Sequence, residues 1–273
     1  MPTIPPDQAQ LSEQAPHEHR DMAESFGSNA ERYDRARPRY PDALIDAIVT
    51  GSPGPEVLDV GCGTGIAARQ FQAAGCRVLG VEPDARMAEL ARQSGIEVDV
   101  ASFEDWDPAG RTFDAVVAGQ AWHWVDPVAG AAKAAQVLCP HGRLSVFWNV
   151  FQPPPDLGDA IAAVYRRALP GSPIFNRLPS PDEYSTLLAK PIDAMRALDA
   201  FSEPEQSRFE WERSYTRDEW LELVPTAGGH SQFPPATLEE ILTGIGAAID
   251  AWGGSFTMRY TALMITTTRT AAP

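Results

Sequence analysis

Residues 57–65 read Val-Leu-Asp-Val-Gly-Cys-Gly-Thr-Gly, an apolar run with one acid that breaks into glycines at alternate positions. A short apolar run stopped by glycine reads as a buried strand. Glycine takes positive φ and, lacking a Cβ, lets the backbone approach a ligand closely. Gly61, Gly63 and Gly65 therefore predict a tight turn at a strand end. Residues 64–74 follow as a helix closed by Gly75, and Arg77-Val-Leu-Gly-Val-Glu82 as a second strand ending in an acid. The free N–H groups of that helix face whatever the turn holds. A strand, a turn, a helix and a strand in this order commit the chain to a parallel α/β sheet.

The rhythm continues with strands near 96–100, 113–118 and 143–149 and helices near 84–93 and 127–138. Asp84 and Asp126 stand at N-cap positions, Pro127 at a first helical position, and Gly95 at a helix stop. In such sheets ligands sit at the carboxyl ends of strands, where the strand order reverses. Pro41 opens a helix to about 50. Past Asn149 the alternation breaks: residues 151–203 are proline-rich with helical stretches and read as a helical cap. Thr216 with Glu219 and Thr237 with Glu240 form two capping-box patterns. Residues 207–215 and 255–267 alternate as strands and are expected to pair antiparallel. The expected divisions are a disordered tail (1–20), an N-terminal helical lid (21–50), a ligand-binding core (51–150), the cap (151–203) and a completion of the sheet (204–273).

The chemistry of the turn narrows its ligand. A dinucleotide fingerprint needs Gly-x-Gly-x-x-Gly, and counting from Gly61 puts Ile66 where the third glycine belongs. Asp59 would repel a pyrophosphate but attracts an ammonium. Glu82 offers two oxygens to the paired hydroxyls of a ribose. S-adenosylmethionine carries ammonium, carboxylate, sulfonium and ribose, and no phosphate.

On these residues the chain resembles the class I S-adenosylmethionine-dependent methyltransferases. Val57 to Gly65 looks like their first motif and Gly80-Val-Glu-Pro-Asp84 like their second. The segment from Phe113 through Gln120-Ala-Trp-His-Trp124 to Pro127 is similar to the trans-aconitate methyltransferase-like branch. The resemblance implies a doubly wound, seven-stranded, mostly parallel sheet of Rossmann-like form, with an antiparallel edge strand and a helical insertion. It also implies S-adenosylmethionine as cofactor and a small-molecule acceptor, with a carboxylate or hydroxyl oxygen favoured. Two alternatives stand beside it: an accessory protein that binds S-adenosylmethionine without turnover, and an NAD-linked oxidoreductase.

Candidate cofactor contacts are Asp59, Gly61, Cys62, Gly63, Glu82 and Pro83, with Gln120 after the fourth strand. Cys62 is most simply a small residue that fits the turn. After the third strand, Ser102 stands where the family often has an acid for adenine, beside Phe103 and with Glu104 two residues on. Met87 is either an apolar contact to the base or core. Tyr33 and Arg37 resemble the family's N-terminal lid, where an Arg can pair with the methionine carboxylate; a solvated helix face is the other reading. His123 is read either as a general base or as a buried histidine fixing its loop. Trp122, Trp124 and Trp148 suit an acceptor pocket or a sulfonium, with core packing the other reading for at least one of them, and Asn149 could orient the acceptor.

Lys and Arg number 22 against 37 Asp and Glu, a formal charge of -15, which opposes nucleic acid and anionic membranes. No apolar run reaches spanning length and the first residues lack a signal pattern. Cys62, Cys76 and Cys139 have no metal spacing and suit a reducing compartment. No metal, no membrane partner and a cytoplasmic setting are expected.

Overall fold

In the computed structural model, residues 27, 29–170 and 181–270 are described; side chains of 181–187 and 231 are not. The expected 1–20 tail lies outside them. The sheet order is β3-β2-β1-β4-β5-β7-β6, with β1 Glu56–Val60, β2 Arg77–Val81, β3 Glu97–Asp99, β4 Phe113–Gly119, β5 Leu138–Gln152, β6 Glu205–Thr216 and β7 Ser255–Thr268. β1 to β5 are parallel, and β7 runs antiparallel to both neighbours. The antiparallel strand thus lies inside the sheet, and β6 forms the edge. The order reverses beside β1, which neighbours β2 on one side and β4 on the other.

Period-two alternation sorts the strand residues onto two faces. Val57, Val78, Val98, Val117 and Phe147 meet α2 (Asp42–Gly51), α3 (Ile66–Ala73) and α4 (Ala85–Gln93). Leu58, Val60, Val116, Val146 and Ile265 meet α5 (Pro127–Val137) and α7 (Pro181–Arg196). A third cluster lies on the far ends of β6 and β7. There Tyr215, Phe256, Met258 and Tyr260 pack with α6 (Pro155–Ala168), α8 (Arg217–Leu223) and α9 (Pro235–Trp252). The expected 151–203 cap resolves into α6, packed on α9, and α7, which joins the sheet's back layer through Leu188, Ile192 and Met195.

Local chemistry sets the ends. Asp84 accepts from Arg86 N–H at 2.8 Å, and Asp126 from Val128 and Ala129 N–H ahead of α5. The Thr216–Glu219 box closes in both directions. The second expected box does not cap its helix: α9 begins at Pro235 with Pro234 as N-cap, so Thr237 already lies inside the first turn. β5 runs on past the expected end at 149 to Gln152, because β7 pairs it continuously from Arg143↔Thr268 to Gln152↔Arg259; at its other end it starts at Leu138, paired with Phe113 of β4. Strand length here follows the partner strand. Among the described residues no helix is long and apolar enough to cross a membrane, and no His, Cys, Asp or Glu cluster suits a metal.

Candidate active site

The turn after β1 is pinned by Gly61 and Cys62 N–H groups, which donate to Val81 O at 2.8 and 3.3 Å. Gly61, Gly63 and Gly65 have φ of 63°, 57° and 85°. At Gly61 a Cβ would also stand 2.6 Å from Ala121 Cβ, so space and conformation both require glycine; at Gly63 its nearest neighbour would be Met87 Cε at 3.6 Å. Cys62 is buried against Gly80, where an added Cβ would meet its Sγ at 2.5 Å. Its small size is what the turn uses.

Asp59 at the end of β1 and Glu82 just past β2 are both buried. Glu82 accepts from Gly63 N–H at 2.8 Å on one oxygen and from Asp84 N–H at 3.0 Å on the other, and each oxygen keeps a second lone pair. Asp59 Oδ2 is buried without a hydrogen-bond partner. Burial, reinforced by the charge of Glu82, pushes Asp59 up to about 8; burial pushes Glu82 up to about 7 against its two backbone donors. Such a pair favours a cation beside it, since an opposite charge restores the ionised form.

Beyond β3, Ser102 Oγ donates to Asp105 Oδ2 at 2.7 Å and accepts from Asp105 N–H at 3.3 Å. Glu104 accepts from Asp126 N–H at 2.8 Å, which fastens this turn to the start of α5. Phe103 is buried, its ring 6.1 Å from that of Trp122. From the other side, Arg37 follows α1 (Ala30–Ala36), with its guanidinium 4.9 Å from the centre of the Tyr33 ring. Its Nη2 donates to Thr226 O, and its Nε is buried without a partner.

The loop after β4 departs most from expectation. Gln120 sits in the left-handed region, φ 56°, held by its N–H to Phe147 O at 2.8 Å and its side chain to Asn149 O at 3.3 Å. Trp122–Trp124 is a single 3-10 turn, in which successive side chains point about 120° apart. Trp122 therefore swings into the core against Phe103 and Gly130 rather than toward an acceptor. His123 accepts at Nδ1 from Trp148 Nε1 at 3.1 Å, and burial lowers its imidazole to about 4. A neutral ring with Nδ1 engaged carries its proton on Nε2, so of the two readings this geometry fits the buried histidine and not the general base. Asn149 donates to Arg39 O at 3.1 Å and accepts from Trp211 Nε1 at 3.2 Å. Its amide ties the N-terminal segment to β5 and β6.

One cavity of about 780 Å³ runs along these strand ends. Asp59, Gly61, Cys62, Gly63, Glu82, Pro83, Met87, Ser102 and Phe103 line it, together with Tyr33, Arg37, Gln120, His123, Trp124, Trp148 and Asn149; Trp122 does not. A methyltransferase-domain family model matches residues 58–146. An uncharacterized methyltransferase of Mycobacterium tuberculosis strain H37Rv is 34% identical over 175 residues, covering 62% of this chain and 69% of that one. The chain belongs to the class I S-adenosylmethionine-dependent methyltransferases. A candidate type II methyltransferase from Anaeromyxobacter dehalogenans has the same fold, with a TM-score of 0.58 at 24% identity over 84% of this chain and 97% of that one. A ubiquinone biosynthesis O-methyltransferase of Cereibacter sphaeroides is 30% identical over 154 residues, 51% of this chain and 62% of that one.

This methyltransferase uses S-adenosylmethionine, and the residues present fit it: the unpartnered Asp59 oxygen suits an ammonium, and Glu82 retains lone pairs for hydroxyls. The family assignment also closes the NAD-linked alternative. The other half of the methyltransferase's cavity was not visible in the sequence. Phe151, Ile161, Tyr165, Trp220, His230 and Tyr260 line it, from β5, α6, α8, a 3-10 turn after α8 and β7. All but Ile161 carry a ring, and that is the sequence signal they offer.

Proposed function

We propose that this methyltransferase transfers a methyl group to the hydroxyl oxygen of a small, uncharged, largely hydrophobic acceptor. The observation that carries this reading is the division of the cavity. The carboxylates that line it, Asp59, Glu82, Glu104 and Asp105, come from the ends of β1, β2 and β3. The opposite half is aromatic and aliphatic, and Arg37 is the one Lys or Arg among the described lining residues. A carboxylate-rich acceptor would need cationic partners to offset its desolvation. Hydroxyl is therefore favoured over carboxylate, and the trans-aconitate methyltransferase-like resemblance extends no further than the segment from Phe113 to Pro127. The name of the ubiquinone-pathway relative supports oxygen as the methylated atom.

In this reading Asp59 takes the cofactor's ammonium, Arg37 and Tyr33 its carboxylate, and Glu82 the ribose hydroxyls. Ser102, Phe103, Asp105 and Met87 frame the adenine, with Pro83 and Cys62 shaping the floor. Gln120 and the His123 Nε2–H border the reacting centre, and Trp124 and Trp148 wall it. When bound, the cofactor supplies an electrophilic methyl on sulfonium. The protein's part is alignment and exclusion of water, and proximity alone can supply about 7–11 kcal/mol. The three cysteines are free thiols, in keeping with a cytoplasmic setting.

The test uses the purified full chain, S-adenosylmethionine and matched alkyl-substituted phenols, carboxylic acids and amines. Release of S-adenosylhomocysteine with methyl-ether formation is expected for the phenols. Turnover confined to the acids or amines, or none with any acceptor, would overturn the reading.

A further inference from the structure

Hydroxyl methylation needs somewhere for the proton to go. Among the described cavity-lining residues, the groups that can take one are Asp59, Glu82, Glu104, Asp105, His123 and His230. Asp59 and Glu82 belong to the cofactor half. Glu104 is engaged by Asp126 N–H, Asp105 by Ser102 and His123 Nδ1 by Trp148. His230 stands apart, because it lies in the aromatic half and is joined to a second titratable group. Tyr165 Oη, on α6, is 2.7 Å from His230 Nε2.

The geometry fixes the direction of that bond. His230 Nδ1 lies 3.3 Å from Gly228 O, and a carbonyl can only accept, so Nδ1 carries the ring proton. Nε2 is then bare and receives the Tyr165 hydroxyl proton. Both residues are buried, and the rings meet edge to face, with centroids 5.7 Å apart at 85°. The backbone holds His230 in place: Gly229 has φ of 80°, and His230 N–H donates to Ala227 O at 3.1 Å. Burial keeps the imidazole below its ordinary value and the phenol above its own, so histidine is neutral and tyrosine protonated near neutral pH.

We propose that Tyr165 and His230 form the proton relay that deprotonates the acceptor hydroxyl. This assignment rests on the hydroxyl reading above. The acceptor O–H bond breaks and its proton passes to Tyr165 Oη as the Tyr165 proton passes to His230 Nε2. The freed electron pair of the acceptor oxygen forms the new O–C bond, and the pair of the broken C–S bond stays on sulfur. One positive charge leaves the sulfonium and one appears on the imidazolium, which returns its proton to solvent after product departs. A backbone carbonyl, an imidazole and a phenol thus occupy the three places of an orienter, a base and a conducting hydroxyl.

The experiment compares wild type with Tyr165→Phe and His230→Asn on two phenols carrying the same alkyl chain. One phenol is unactivated; the other bears a nitro group and is ionised at the assay pH. Loss of a general base costs about 10²–10⁴-fold. On the unactivated phenol kcat should fall by about 100-fold or more in each variant. On the ionised phenol, which has no proton to give, it should fall only a few-fold. S-adenosylhomocysteine affinity by calorimetry should stay within about two-fold. Nitrogen NMR of the free protein gives a readout independent of turnover: His230 should show a protonated Nδ1 and a bare Nε2 whose shift moves in Tyr165→Phe. Equal losses on both phenols, no loss on either, or a bare Nδ1 would overturn the relay. Failure of wild type on both phenols would instead overturn the hydroxyl reading.

Discussion

Asp59 and Glu82 make cofactor binding a proton-linked event, and titrating the pH exposes it. Asp59 is raised to about 8 by burial and by Glu82, and Glu82 to about 7 by burial. Both folded values lie above the ordinary carboxylate range, so the folded protein holds these protons more tightly than the unfolded chain. Their contribution to stability without ligand is full below the ordinary carboxylate value and is lost as pH rises through 7 to 8. A ligand ammonium needs Asp59 ionised, which reverses the sign. At pH 7 a group titrating near 8 is about 90% protonated, so binding S-adenosylhomocysteine should release about 0.9 proton from Asp59. Between pH 5 and 7 each unit should tighten binding about tenfold, or about 1.4 kcal/mol, while the ligand's amino group stays charged. Calorimetry at pH 7 in phosphate and in Tris reads the released proton as a difference in apparent enthalpy. Asp59→Asn should bind weakly and with a far shallower pH dependence. The reasoning fails if wild-type affinity is flat from pH 5 to 7, or if enthalpy is the same in both buffers.

Three further outcomes follow from the geometry. Gly61→Ala should lower Tm more than Gly63→Ala: both accept the cost of positive φ, about 1–2 kcal/mol, but only the first also meets Ala121 at 2.6 Å, adding about 1–3 kcal/mol of overpacking. Equal shifts in thermal denaturation would refute this. Trp148→Phe removes a hydrogen bond made only to the neutral His123 ring, so the His123 pKa should rise slightly while burial, the cause of its lowering to about 4, keeps it below its ordinary value, as followed by proton NMR. Asn149→Ala removes the hydrogen bonds to Arg39 O and from Trp211 Nε1, both only part-buried, and should cost about 0.5–1.5 kcal/mol for each; denaturant unfolding with no loss of stability would show that water replaces the amide.

The sequence by itself determined whatever depends on neighbours along the chain. Positive φ at Gly61, Gly63 and Gly65, the strand and helix alternation, the caps at Asp84 and Asp126 and the carboxylates at successive strand ends are all local. Parallel topology then brings strand ends to one side, so Asp59 and Glu82 meet without further information. Tertiary structure decided what depends on which face looks where. The three residues Trp122, His123 and Trp124 are adjacent, yet one 3-10 turn sends the first into the core and leaves the other two on the cavity. The His123 lone pair is assigned by Trp148, 25 residues away. Tyr165 and His230 are 65 residues apart, on elements whose patterns mark an apolar face without naming its partner. Periodicity reports which side chains share a face, because it is a property of one element. The chemistry of a face arises only when a second element packs against it, and that is set by long-range contacts.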